Sequence, residues 1–168
     1  MIRSAVLRLA GAASFAALLS ACATTAPGVQ PGAQVADYQD SINLQGRISV
    51  NYEKNSQPES VTGKFSWSQT PQAVNVALAS PLGSTLATSV VTPTSATLTQ
   101  TDQAPRTAQD IDTLTAQTLG WSLPVSGLRD WLQGYATAAS GQRLAASPAN
   151  NSITTGDGWI VTFVNWQD

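Results

Sequence analysis

Few residues in this chain can do covalent or acid–base chemistry. It has no histidine, one cysteine (Cys22), and eight Lys and Arg against ten Asp and Glu in 168 residues. Without imidazole, the commonest general base and the commonest metal ligand are both missing. The remaining Ser, Asp and Glu spell out no phosphate-cradling loop, catalytic triad or metal set. No catalytic residue, metal site or cofactor is therefore expected, and an enzyme is not expected either. What remains is a thiol that can be modified and an apolar complement that can hold hydrocarbon away from water.

The setting of the thiol is specific. Arg3 and Arg8 form a positive start, Leu9 to Leu19 an apolar run broken by Gly11 and Ser14, and Leu19-Ser20-Ala21-Cys22 closes it. This is a secretory signal too short to span a bilayer as an ordinary helix. Its close resembles the bacterial lipobox, which predicts cleavage before Cys22 and lipid attachment on it. Ala23 is not the aspartate that commonly retains lipoproteins in the inner membrane, so the expected location is the outer membrane, lipid-anchored and facing the periplasm. As the sole cysteine, Cys22 has no intramolecular disulfide partner even in an oxidising compartment.

Removing residues 1–21 leaves 147 residues, enough for one domain with a core. It also leaves six Lys and Arg against ten acids, with no basic patch for nucleic acid. Residues 22–40 are rich in Pro and Gly without apolar period, and read as a flexible or polyproline tether. The folded body is expected from 41 to 168.

Its first part alternates with period two. Ile42, Leu44, Gly46, Ile48, Val50 and Tyr52 share one face, and Asn43, Gln45, Arg47, Ser49 and Asn51 the other. Lys54 to Pro58 breaks the run. A second strand carries Val61, Gly63, Phe65 and Trp67, a third Val74, Val76 and Leu78, and two more are predicted over 85–92 and 94–100. Short polar turns between them argue for an antiparallel meander ending at Thr101–Pro105. Between the third and fourth runs, Ser80-Pro81-Leu82-Gly83-Ser84 places a leucine inside a turn, either exposed or folded back on the sheet end.

Thr107-Ala108-Gln109-Asp110 reads as a capping-box start with Asp in place of Glu. The helix that follows carries Ile111, Leu114 and Leu119 at helical spacing and stops at Gly120. A second short helix is predicted over 126–133 with Leu128, Trp131 and Leu132 on its buried face. A last strand over 159–166, apolar on both faces, should be covered on both.

Five motifs in this order resemble the outer-membrane lipoprotein LolB family: Gly63-Lys64-Phe65-Ser66-Trp67, Ser80-Pro81-Leu82-Gly83, Leu119-Gly120-Trp121-Ser122-Leu123-Pro124-Val125, Leu128 to Gly134, and Gly158-Trp159-Ile160-Val161. The resemblance implies a mainly β fold with some α: an incomplete, half-open antiparallel β-barrel with short helices as a lid over a hydrophobic cavity. It implies a monomer that accepts lipoproteins from the periplasmic carrier LolA and inserts them into the outer membrane. Leu82 would then be an exposed, membrane-inserting tip. Phe65, Trp67, Leu114, Trp121, Trp131, Trp159 and Phe163 are candidates to line the acyl cavity or its lid, although each can equally be plain core. Family members continue beyond the strand matching 159–166, so an unpaired edge is expected after Trp166. The alternative from a different class is a non-transferring structural or assembly lipoprotein whose sheet is a binding scaffold with a filled core.

Overall fold

The two-residue alternation that starts at Ile42 becomes strand β1 (Ile42–Lys54) in the computed structural model, which describes residues 32–166 apart from Asn55 and Ser122. Cys22 and the signal segment lie outside the described residues. The next strands are β2 (Gln57–Gln69), β3 (Val74–Ala79), β4 (Thr85–Thr92), β5 (Ser95–Gln100) and β6 (Arg106–Ala108), hydrogen-bonded in chain order into one six-stranded sheet that does not close.

Register fixes the faces of this sheet. Leu44 stands opposite Trp67, Trp67 opposite Val76, Val76 opposite Ser89 and Ser89 opposite Leu98. Directly paired residues share a face, so these five form one row across an inner, mostly apolar surface. Asn43, Ser68 and Asn75 belong to a row on the polar outer surface.

Two expectations are corrected here. The polar stretch at 54–58 barely interrupts the sheet: β1 and β2 pair out to Lys54 and Gln57, because Ser56 takes a positive φ of 61° in a tight turn. The meander also does not end at Thr101–Pro105, since Arg106–Ala108 returns to pair with β5, Ala96 facing Ala108.

That sixth strand moves the helix start. Thr107 and Ala108 are occupied in β6, so helix α1 (Ile111–Leu119) is capped by Asp110 itself and not by a box begun at Thr107. The Thr113 amide donates to Asp110 Oδ1 at 2.7 Å and the Thr113 hydroxyl to Oδ2 at 2.9 Å. The helix ends at Gly120, as predicted. The amide bond first, then the hydroxyl bond, hold the Asp110 carboxyl below its ordinary 3.8. A depressed carboxyl contributes stability above its unfolded value and loses it as pH falls through the folded one. Asp110→Ala is therefore expected to melt below the parent chain at neutral pH, with the gap closing as the pH drops below 3.8. Thermal scans across that range check it.

The second helix is shorter than predicted. A single 3-10 turn, Val125–Gly127, leads into the four residues of α2 (Leu128–Trp131), and Leu128, Trp131 and Leu132 are half-buried. The weakly patterned stretch beyond it holds β7 (Tyr135–Thr137), β8 (Arg143–Ala145) and β9 (Ser152–Thr154), and the last strand shrinks to β10 (Ile160–Thr162). These form two separate hairpins, β7 with β8 and β9 with β10. The expectation that residues 159–166 are covered on both faces fails. Ile160 and Val164 are 69% and 70% exposed, because β9 is the one strand beside β10 among the described residues.

The core is accordingly split. One cluster joins Ala96, Ile111 and Leu114, with Val91, Leu98, Ala108 and Val125 around it. The other joins Ala136, Ala146 and Ile153, with Val35, Trp131, Phe163 and Trp166 among its neighbours. The described end of the expected tether is docked on the second half: Ala33 is buried, Tyr38 meets Tyr135 edge-on at 5.6 Å, and the Tyr135 hydroxyl donates to the Ala36 carbonyl at 2.8 Å.

Candidate functional site

Helix α1 lies over the inner face of β5 and β6 and presents Ile111, Leu114, Thr115 and Thr118, spaced three and four apart, to the sheet. Thr118 donates its hydroxyl to the Leu114 carbonyl at 2.8 Å, and Thr115 likewise bonds the Ile111 carbonyl. Both hydroxyls thus satisfy their polarity on the helix backbone. The opposite wall is Val76 and Leu78 of β3, Ala87 of β4 and Leu98 of β5, with Leu123 and Val125 from the segment after the helix.

A partly open cleft of about 190 Å³ remains between the helix and the sheet, and its surface is almost entirely hydrocarbon. One buried polar atom on its wall, Ser89 Oγ, has no hydrogen-bond partner among the described residues. The cleft is small. Sites that take drug-sized ligands run to about 300–1,000 Å³. The helix is tied at one end by Asp112, whose carboxylate accepts from the Ser126 amide at 2.9 Å and the Ser126 hydroxyl at 2.5 Å.

Of the seven candidates for the acyl cavity or its lid, Leu114 alone lines this cleft, and it is 1% exposed. Phe65 and Trp67 share the inner face but sit farther along it. Trp67 is buried, donating its indole N–H to Gln69 Oε1 at 3.1 Å, and the Phe65 ring lies over Gly46, where an added Cβ would stand 2.6 Å from it. Trp121 stacks on Tyr52, centroids 6.3 Å apart and planes 22° apart. Trp131 and Phe163 belong to the second cluster, and Trp131 borders a polar groove with Asp112, Asp130 and Asp157. Trp159 is 37% exposed. The expectation that α2 lays Trp131 on the sheet's concave side is therefore corrected: a four-residue helix ending beside β7 packs on the second half instead. Sequence reasoning missed Val76, Leu78, Leu98 and Ile111 as lining residues. Strand alternation for the first three and helical spacing for Ile111 are consistent with an inward face, but nothing local distinguished a cleft wall from filled core.

Leu82 stands apart from the cleft. Gly83 donates its amide to the Ser80 carbonyl at 2.9 Å and adopts φ of 99°, while Ser84 donates to Ser80 Oγ at 3.1 Å. This closed turn puts Pro81 and Leu82 at its tip. Gly83 reaches the left-handed region at no steric cost, so the turn needs nothing from Leu82. The leucine is 97% exposed and is not folded back.

Residues 40–168 match the family described as Outer membrane lipoprotein LolB. The chain is 42% identical over 154 residues to the Outer-membrane lipoprotein LolB of Cupriavidus taiwanensis, covering 90% of this chain and 74% of that one. The protein of the same name from Cupriavidus necator is 42% identical over 153 residues, 90% of this chain and 76% of that one. The one from Ralstonia nicotianae is 39% identical over 154 residues, with coverages of 90% and 74%.

Proposed function

The chain belongs to the outer membrane lipoprotein LolB family, and from that premise we propose that it takes lipoproteins from the periplasmic carrier LolA and inserts them into the outer membrane. The observation that carries this reading is the hydrocarbon-lined cleft between α1 and the sheet. A cargo acyl chain exposed to water costs roughly 0.8 kcal/mol per CH₂, so an acceptor must offer it continuous apolar cover. Val76, Leu78 and Leu98 supply one wall, and Ile111 and Leu114 on a movable helix supply the other.

Helix α1 then acts as the lid. It rides on a small cluster and one Asp112–Ser126 link, contacts few enough to break and re-form at each transfer. The unpaired Ser89 hydroxyl is a donor that the ester carbonyl of an entering acyl group can satisfy. Cargo moves by relative affinity, from the carrier to this cleft and from the cleft to the bilayer. Cys22 carries the lipid that keeps the protein at the membrane, since two or more acyl chains give stable attachment where one is marginal. Leu82 dips into the bilayer beside the point of delivery.

Fluorescent fatty-acid uptake by the processed chain tests the reading. Saturable binding that is lost in Leu98→Asp, with the fold retained, is the expected result. A chain that folds but takes up no acyl probe is a scaffold with a filled core, and the acceptor reading fails.

A further inference from the structure

Beside the Leu82 turn the outer face carries an arrangement that folding alone does not favour. Arg47 and Lys64 stand directly opposite each other across β1 and β2, and both are exposed. Like charges so placed repel. Ser49 and Thr62 form the next pair on the same face, which completes a two-by-two patch of hydrogen-bond donors. Together with Pro81 these residues line a groove of about 490 Å³. No carboxylate lines it, and among the described residues neither cation makes an ion pair; the ion pair present is Arg143 with Asp130 at 3.6 Å. Glu53 shares the outer face of β1 but lies six residues from Arg47, about 20 Å along the strand, or roughly two Debye lengths at physiological salt.

The groove and the leucine tip are built as one piece. Gly63 lets β3 approach closely, since a Cβ there would meet the Ala79 carbonyl oxygen at 2.6 Å. The register shift between Leu78 and Ala79 follows immediately, and Pro81 comes to line the groove while Leu82, its neighbour, points to solvent.

We propose that Arg47, Lys64, Ser49 and Thr62 form a seat for phospholipid headgroups of net negative charge, which docks the Leu82 turn on an anionic bilayer surface. The proposal rests on the reading of Leu82 as a membrane-inserting tip and says how that tip is aimed. With six cations against ten acids after Cys22, the body as a whole is repelled by an anionic surface. The unpaired cations beside Leu82 therefore select which face approaches. Each basic residue near such a surface favours binding about fivefold, so the pair favours the docked state about thirtyfold.

The experiment uses the lipid-anchored chain in vesicles, with an environment-sensitive fluorophore on Leu82→Cys. Cys22 is the only native thiol and is blocked by its lipid. The docked-to-free ratio is read on phosphatidylcholine vesicles and on vesicles containing about one-third phosphatidylglycerol. The expected result is about a thirtyfold higher ratio on the anionic vesicles. Arg47→Gln with Lys64→Gln, or high salt, should remove that difference, while inorganic phosphate should do no more than chloride of equal ionic strength. Equal docking on both vesicles, or docking indifferent to the double substitution, overturns the headgroup seat and leaves the Leu82 reading standing. Displacement by inorganic phosphate beyond the chloride control means that the groove takes free phosphate, which also overturns it. A fluorophore that enters neither bilayer removes the Leu82 reading and this proposal with it. Should the double variant fail to fold, the composition and salt arms on the parent chain still decide.

Discussion

Leu82→Glu is expected to fold, melt and take up acyl chains like the parent chain, yet to release cargo into liposomes on the order of a hundredfold more slowly. The side chain is 97% exposed and its turn is closed by Ser80, Gly83 and Ser84, so the fold loses nothing that can be measured. Burying one leucine is worth about 1.5–3 kcal/mol, roughly ten- to 150-fold in the population of the inserted tip, and a carboxylate at that depth does not insert at all. The same figure is too small to hold a protein at a membrane. Anchoring and insertion are thus separable, and Cys22→Ser should remove stable attachment while leaving the tip intact. Release at the normal rate by the Leu82→Glu chain, or its failure to accept cargo, would show that the turn does not divide the work in this way.

The second large effect is expected at Leu114. The side chain is 1% exposed, packs against Ala96 and Ile111, and forms part of the cleft wall. Leu114→Ala should cost about 2–5 kcal/mol, a large part of the roughly 5–15 kcal/mol that holds a domain of this kind together. Below its lowered melting temperature the variant should still take up fatty acid, because the substitution widens the cleft. Trp131→Ala is the contrast. It is half-buried in the other cluster, so it should cost less than the roughly 3–5 kcal/mol of a fully buried tryptophan and leave uptake unchanged. Denaturant melts read alongside probe titrations separate the two. A change of uptake in Trp131→Ala would mean that the clusters act as one.

The strands from β1 to β5 were legible because alternation repeats over six or more residues in most of them, and long-range order then follows from short polar turns. The N-cap was misread by three residues for a reason no local pattern holds: Thr107 and Ala108 pair with β5 instead of starting the helix. The same limit applies to β7, β8 and β9, each three residues long, too short for a period to accumulate. Among the aromatics, residue type promised hydrocarbon contact, but only packing could assign Trp131 to one core, Trp121 to a stack on Tyr52, and the cleft to smaller aliphatic residues.

By itself the sequence determined the single cysteine, the absence of histidine, the meander and the leucine in the turn, since each of these is written in neighbouring residues or in a short period. Only the tertiary structure decided that Leu82 is free, that α1 and not α2 covers the sheet, and that Arg47 and Lys64 stand together beside Pro81. Exposure, covering and the meeting of like charges depend on which distant segments are brought together, and strand register and helix packing set that over separations no local pattern spans.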